Sequence, residues 1–164
     1  MLERTLVLIK PDGVRRGIIG QVLTRFENAG LKIIGLKLVH ATREFAGRHY
    51  TVEDISARHG EPVRQQLLDF ITEGPVVAMV LEGASCVDVV RKLVGSTEPK
   101  SAPPGTIRGD FCHHGYDHVK EAGKCVRNVI HASATPEQAQ TEVALWFTEA
   151  ELFAYGRNDE AEMY

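Results

Sequence analysis

The sequence has 164 residues, which is enough for one domain of ordinary size and too few for two large ones. It carries a formal net charge of −3 and 43% hydrophobic residues, and we expect one domain over residues 1–164 with a sizeable core. This balance does not favour a nucleic-acid or membrane partner, because surfaces that bind either usually carry a basic excess. The sequence has neither the apolar stretch of an N-terminal signal peptide nor the roughly 20 apolar residues of a membrane span. Three cysteines without close pairing predict a reducing, cytoplasmic location.

Four short runs rich in β-branched and other apolar residues predict four strands, over residues 4–10, 31–39, 76–81 and 129–131. The first run is stopped by a Pro-Asp-Gly turn, and the third opens after Gly74-Pro75. In the second strand, Ile34, Leu36 and Leu38 are expected on one face. The fourth strand ends in His131.

Apolar residues at helical spacing connect and follow these strands. One helix is expected to end at Gly30 and another near Gly95. The helix after the fourth strand should begin with Thr135 as N-cap, Pro136 at its first position and Gln138 completing a capping box. The order β-α-β, extra helices, β-α-β and a last helix predicts an α/β (α+β) fold, a ferredoxin-like four-stranded antiparallel sheet with a βαββαβ core.

Two segments do not fit this pattern. Residues 44–70 are helical but weakly patterned around 55–60, and residues 96–124 are long, rich in proline and glycine, and show little periodicity. Long irregular loops in compact domains are uncommon and often functional, so the second segment is expected to line a site.

His131 is a candidate nucleophile, because its place between a strand end and a helix start would leave one ring nitrogen exposed at a cleft. A lone histidine at a strand end is nevertheless more often an ordinary polar residue. Lys10, Arg91, Thr97 and Arg108 strengthen the case if they converge on that cleft, since a polyphosphate requires point charges, forked donors and a hydroxyl. Taken singly, each cation is more simply a solvated surface residue. No Walker-type phosphate loop is present in the sequence, which argues against a P-loop mechanism.

Four stretches, in order along most of the chain, resemble the nucleoside diphosphate kinase family. They are Thr5 to Val14, Gly74 to Val80, Pro104 to Phe111, and Arg127 to Ser133 followed by Glu142. The resemblance implies transfer of the γ-phosphate from a nucleoside triphosphate to a nucleoside diphosphate. The transfer would be ping-pong and would pass through a phosphohistidine at His131.

The resemblance also implies roles for individual side chains. Glu142 would hydrogen-bond the second ring nitrogen of the histidine, Ser133 would help to position the ring, and Tyr50 would lie near the transferred phosphate. Lys10 would contact phosphate and sugar. The other contacts to the β- and γ-phosphates and the sugar 3′-hydroxyl would come from Arg91, Thr97, Arg108 and Asn128.

Mg²⁺ would arrive as a bridge between the phosphates of the nucleotide, with no protein metal ligands. The family resemblance further implies a homo-oligomer, usually a hexamer and sometimes a tetramer or dimer. Residues 96–111 would line the site and contact neighbouring subunits.

The sequence departs from the family pattern at four places. Val63 stands where the family usually has an aromatic residue, so the platform for the base is smaller and we expect weaker nucleotide binding with broad base tolerance. Residues 51–61 and 112–124 are longer than in most members, and the second segment is expected near the mouth of the cleft or on a subunit surface. Ala134 replaces an aspartate that the family generally has after the serine.

Two alternatives remain open. The altered positions would also fit a catalytically weak relative that binds nucleotides or partners as a scaffold. A metal-dependent interaction module is the other, because ligand-type side chains lie within a short span whose spacing matches no zinc pattern: Cys112, His113, His114, His118 and Cys125.

Overall fold

The computed structural model describes residues 2–121 and 123–163. One four-stranded sheet has the order β2-β3-β1-β4, and all of its pairings are antiparallel. Its strands are β1 (Leu2–Ile9), β2 (Lys32–Val39), β3 (Val76–Ala84) and β4 (Ile130–Ala132). The predicted ferredoxin-like α+β fold with a four-stranded antiparallel sheet is therefore confirmed.

Helices fill the connections between the strands and follow the last one. Between β1 and β3 lie α1 (Pro11–Arg15), α2 (Ile19–Asn28), α3 (Arg43–His49), α4 (Ala57–His59) and α5 (Glu61–Thr72). After β3 come α6 (Cys86–Val94), α7 (Ile107–Phe111), α8 (Tyr116–Glu121), α9 (Pro136–Trp146) and α10 (Glu160–Met163). The weakly patterned segment 44–70 is thus divided between three helices, with a π-helical turn at Val52–Ser56 before α4. None of the helices in the described ranges is both long and apolar enough to cross a membrane.

The sheet is buried on both faces, and β1 lies at its centre. Val7 and Ile9 point into one apolar cluster together with residues of α2 and α6, while Leu6 and Leu8 point into a second cluster with residues of α5 and α9. Alternate residues of a strand face opposite sides, so a central strand covered on both sides must be apolar throughout. This explains why the first strand reads as an unbroken apolar run.

The prediction for the face of β2 is wrong. A β-bulge between Ile33 and Gly35 shifts the register, so that Leu36 pairs with Met79 while Ile34 joins the cluster on the opposite side of the sheet. Ile34 is buried, whereas Leu36 and Leu38 are 50% and 64% exposed. A bulge adds one residue to a strand, which moves every later side chain to the other face.

Candidate active site

His131 lies on β4 opposite Leu8, and its side chain is mostly buried at the wall of a cleft. Its Nε2 atom lies 3.0 Å from Oε2 and 3.1 Å from Oε1 of Glu142 on α9. Since a carboxylate only accepts, this contact places the ring proton on Nε2 and leaves the lone pair on Nδ1. The available nucleophilic atom is therefore Nδ1.

Glu142 is held as a carboxylate by the groups around it. Ser133 Oγ donates to its Oε2 at 2.6 Å, and Gln138 Nε2 donates to its Oε1 at 3.0 Å. Burial opposes ionisation, but His131 and the hydrogen-bond donors outweigh it and lower the pKa of Glu142 to about 2. The carboxylate is thus charged at neutral pH and can fix the tautomer of the imidazole.

Capping contacts fix the start of α9, the helix that carries Glu142. Thr135 is the N-cap, as predicted, and its side chain accepts from the backbone N–H of Gln138 at 3.2 Å. The predicted capping box is shifted by one residue, because Gln138 Oε1 accepts from the backbone N–H of Ala134 instead of Thr135. Ala134 therefore still takes part in the helix start although it carries no charge.

The cleft has a volume of about 1050 Å³. It is lined by the side chains that we expected, from the sequence, at the reacting histidine, the polyphosphate and the base: Lys10, Tyr50, Val63, Arg91, Thr97, Arg108, Asn128, His131 and Glu142. Ser133 is fully buried and lies behind this wall, where it reaches the site only through Glu142. Residues from β1, α3, α5, α6, α7, β4, α9 and their loops thus meet at one opening.

Lys10 and Asn128 link two distant parts of the wall. Lys10 Nζ donates to Asn128 Oδ1 at 2.7 Å, and Asn128 Nδ2 donates to the backbone oxygen of Thr97 at 2.7 Å. Burial of the ammonium, with the nearby charge of Arg108, lowers the pKa of Lys10 to about 8. A buried ammonium with few neutralising partners is prepared to bind an anion.

Arg108 braces the loop after α6 against β4. Its guanidinium donates to the backbone oxygens of Gly95 at 2.9 Å and Ile130 at 2.7 Å. Burial lowers the pKa of Arg108 to about 10, so it remains a cation at neutral pH. Together with Lys10 and Arg91, it gives one side of the cleft a positive character.

Sequence reasoning missed Asp12. This buried carboxylate accepts from the backbone N–H of Val129 at 3.0 Å, and the backbone N–H of Lys10 donates to the oxygen of Val129 at 2.7 Å. Val129 has a φ of 68°, which is rare for a β-branched residue. The two contacts hold the turn that places Asn128 and His131 in the cleft. The only signal was a Pro-Asp-Gly stretch, which we interpreted as a turn.

Both inserted segments reach the cleft. Ile55 and Arg58 from the first and Tyr116 and Val119 from the second line its mouth. The second insertion thus lies at the mouth of the cleft, one of the two places expected from the sequence.

The Cys/His-rich residues of the second insertion form no group of three converging ligand atoms within residues 2–121 and 123–163. The one group of that kind found there is His49, His131 and Glu142, whose ligand atoms lie within 4.8 Å of one another. The His131–Glu142 hydrogen bond accounts for part of that proximity. The geometry therefore gives no support to a metal site in the insertion.

Comparisons with known proteins agree with this arrangement. The family model described as nucleoside diphosphate kinase matches residues 3–152. A nucleoside diphosphate kinase of Thermus thermophilus is 53% identical over 152 residues, which are 92% of this chain and 99% of that protein. A solved transition-state mimic of the nucleoside-diphosphate kinase from Borrelia burgdorferi, with bound vanadate and ADP, is 48% identical. The match covers 99% of this chain and 97% of the Borrelia burgdorferi chain, with a TM-score of 0.97. A halophilic nucleoside diphosphate kinase from Halobacterium salinarum in complex with CDP is 40% identical, covers 100% of this chain and 99% of its own, and has a TM-score of 0.84.

Proposed function

Because the chain belongs to the nucleoside diphosphate kinase family, it transfers phosphoryl groups between nucleotides, and we propose that His131 carries the phosphate. The phosphohistidine mechanism is general to the family. The single observation that supports His131 most strongly is its contact with Glu142, which commits Nε2 and leaves Nδ1 free at a cleft lined with cations.

The proposed reaction has two balanced steps. The Nδ1 lone pair of His131 attacks the γ-phosphorus of a nucleoside triphosphate, the bond to the β–γ bridging oxygen breaks, and the diphosphate leaves. A terminal oxygen of an acceptor diphosphate then attacks the phosphorus, the P–N bond breaks, and the neutral imidazole returns. Glu142, accepting from Nε2–H, stabilises the positive charge that the ring acquires in between.

The remaining roles concern binding and charge. Lys10, Arg91 and Arg108 neutralise the phosphates, and the hydroxyl of Thr97 donates to them. Asn128 binds the sugar 3′-hydroxyl, and its hydrogen bond to Lys10 supports this role, because Lys10 is the proposed phosphate contact.

Tyr50 completes the site near the transferred phosphate. It is 6% exposed and lines the same cleft as His131. Burial raises the pKa of its phenol, so the hydroxyl remains a donor at neutral pH.

Mg²⁺ enters as part of the nucleotide substrate. The cleft offers cations to the phosphates, and Glu142 is already engaged by His131. The other acidic side chains at the mouth, Asp54 and Asp117, form ion pairs with Arg58 and Lys100. This donor set suits an ion held mainly by phosphate oxygens and water, as Mg²⁺ prefers.

We propose that Val63 contributes a reduced platform for the base. It is 36% exposed and lines the cleft together with the apolar side chains of Leu67 and Val119. An aliphatic surface without specific donors accepts different bases, at the cost of the stacking that an aromatic ring provides.

The whole sequence, residues 1–164, is proposed to act as one domain in a cytoplasmic homo-oligomer, a hexamer first and a tetramer or dimer as alternatives. The exposed Leu36 and Leu38 lie on the edge strand β2, where uncovered apolar side chains favour contact with a second copy. Light scattering on the purified protein measures the number of subunits.

Incubation with ATP labelled at the γ-phosphate tests the central proposal. We expect the protein to acquire a label that is stable to base and labile to acid, and ADP or another diphosphate to remove it. His131→Ala should abolish the label, whereas the matched control His118→Ala, in the second insertion, should retain it. A wild-type protein that binds nucleotides without acquiring label would instead be a scaffold.

A further inference from the structure

His49 is a buried titratable residue that none of these roles uses. It is the last residue of α3, and its side chain is 1% exposed. Its ring lies edge-on to that of His131, with 4.6 Å between the ring centroids and 80° between the planes. It makes similar edge contacts with Tyr50 at 4.6 Å and Trp146 at 5.6 Å. One side of the His131 imidazole is therefore packed against a second imidazole.

Trp146 determines where the proton of His49 resides. The indole Nε1–H donates to His49 Nδ1 at 3.2 Å, and an indole nitrogen is a donor only. His49 Nδ1 must therefore keep its lone pair, and the neutral ring carries its proton on Nε2. That Nε2 atom is buried without a hydrogen-bond partner in the part of the chain that the structure describes.

The groups around His49 disfavour its protonated form. Burial is the main cause, followed by the charges of His131 on β4 and Lys10 after β1, while Glu142 on α9 acts in the opposite direction. The result is a pKa for His49 of about 3. The Tyr50 ring, the remaining titratable neighbour, presents a neutral phenol at neutral pH.

A protonated His49 would disturb the hydrogen bond on which His131 depends. His49 Nδ1 lies 3.8 Å from Glu142 Oε1, and the same carboxylate receives the Nε2–H of His131. A proton on His49 Nδ1 would face the indole N–H of Trp146, and two donors repel each other. The His49 N–H would then donate to the Glu142 carboxylate instead. The carboxylate would then be shared between two imidazoles.

We propose that His49 is a positioning residue, kept neutral mainly by burial and held in one tautomer by Trp146, so that its ring edge supports His131 and Glu142 serves His131 alone. This inference rests on the proposed role of His131. His49 touches the reacting imidazole and acts through it, and Trp146 acts through His49.

The test is the pH profile of single-turnover phosphorylation by Mg²⁺–ATP. Trp146→Phe keeps an aromatic ring in the core but removes the indole N–H, so Nδ1 of His49 becomes free to take a proton. We expect the acid limb of the profile, followed down to about pH 4, to move to higher pH, because the pKa of His49 rises from about 3 once the indole donor is gone. Phe147→Leu is the packing control, because it perturbs the same apolar cluster without touching His49, and its acid limb should not move.

The double variant separates positioning from a general loss of packing. His49→Phe keeps a ring beside His131 but cannot be protonated, so its rate should fall by about tenfold at every pH without a change in the acid limb. Adding His49→Phe to Trp146→Phe should return the acid limb to its wild-type position. An acid limb that stays shifted in the double variant, or that never shifts in Trp146→Phe, would overturn the inference. Absence of label on His131 in the wild-type protein would instead overturn the proposed function.

Discussion

Lys10 Nζ and Asn128 Oδ1 are joined by a 2.7 Å hydrogen bond, although 118 positions separate the two residues in the sequence. The contact connects the end of β1 with the turn before β4. Antiparallel pairing of these two strands brings the end of β1 and the start of β4 to the same end of the sheet. Lys10 is therefore positioned by the central strand, and the effect of its surroundings on its pKa can be tested by varying the pH.

Nucleotide affinity should fall above about pH 8 because Lys10 loses its charge there. Burial and then Arg108 lower its pKa from 10.5 to about 8 in the free protein. Binding of a phosphate requires the charged form, so the affinity for ADP should decrease by up to about tenfold per pH unit above that value. Calorimetric titrations with ADP between pH 7 and pH 9.5 measure this dependence.

Lys10→Arg provides the control for this pH dependence, because a guanidinium stays charged throughout the range. Parallel pH dependences in the two proteins would rule out Lys10 as the titrating group. The same shift affects folding with a defined sign. Between about pH 8 and 10.5 the unfolded chain binds more protons at this lysine than the folded one, so this contribution to stability rises with pH.

Replacing Glu142 by glutamine should slow phosphorylation by on the order of 10²- to 10⁴-fold. A glutamine amide can donate to Nε2 of His131, which would move the proton to Nδ1 and remove the nucleophilic lone pair. Ser133→Ala is the graded comparison, because it removes one donor to the carboxylate and keeps the charge. We expect a loss of about tenfold there, and equal losses in both variants would contradict the assigned tautomer role.

The convergence of the site residues on the cleft could be predicted because each strand and each family motif is a continuous stretch of the sequence. Lys10 directly follows β1 and His131 lies within the short strand β4, and the antiparallel pairing of these strands then brings them together. The face of β2 could not be predicted, since the bulge at Ile34 becomes visible only through its partner strand. Asp12 and His49 were missed for a related reason. Each is defined by contacts with residues far along the chain, and neither lies in a pattern that marks such contacts.

Val63→Phe should tighten ADP binding. A phenyl ring would restore a stacking surface, which contributes about 1–3 kcal/mol per base in other nucleotide binders. Val63→Leu is the control, because it adds apolar area without an aromatic face. Calorimetry with ADP and CDP should show tighter binding of both for phenylalanine only. Unchanged affinity in Val63→Phe would show that the base does not stack at this position.

Asp12→Ala should destabilise the protein and slow phosphorylation together. The backbone N–H of Val129 is buried and would lose its acceptor, at a cost of about 1–3 kcal/mol. The turn with positive φ would then no longer hold Asn128 and His131 in place. Asp12→Asn retains a side-chain oxygen and should recover most of the stability. Urea unfolding measures the difference, and the explanation fails if Asn and Ala are equally destabilising.

Gly109→Ala should disrupt the loop that carries Arg108. A Cβ on Gly109 would collide with the backbone oxygen of Pro103 and lie 2.9 Å from that of Ala102, and backbone atoms cannot move aside as a flexible side chain could. Forcing an extra methyl group into such a contact costs about 1–3 kcal/mol. The displaced loop would also pull Arg108 from its contacts with Gly95 and Ile130, so phosphorylation should slow.

Gly105→Ala, in the same loop, separates steric collision from backbone strain. Gly105 has a φ of 88°, but a Cβ there would meet no atom within 4 Å. Its cost should therefore be limited to the strain of the left-handed conformation, about 1 kcal/mol, with Arg108 left in place. Urea unfolding and single-turnover phosphorylation of both variants make the comparison. If Gly105→Ala slowed phosphorylation as much as Gly109→Ala, general rigidity of the loop, and not the close approach at Gly109, would be what positions Arg108.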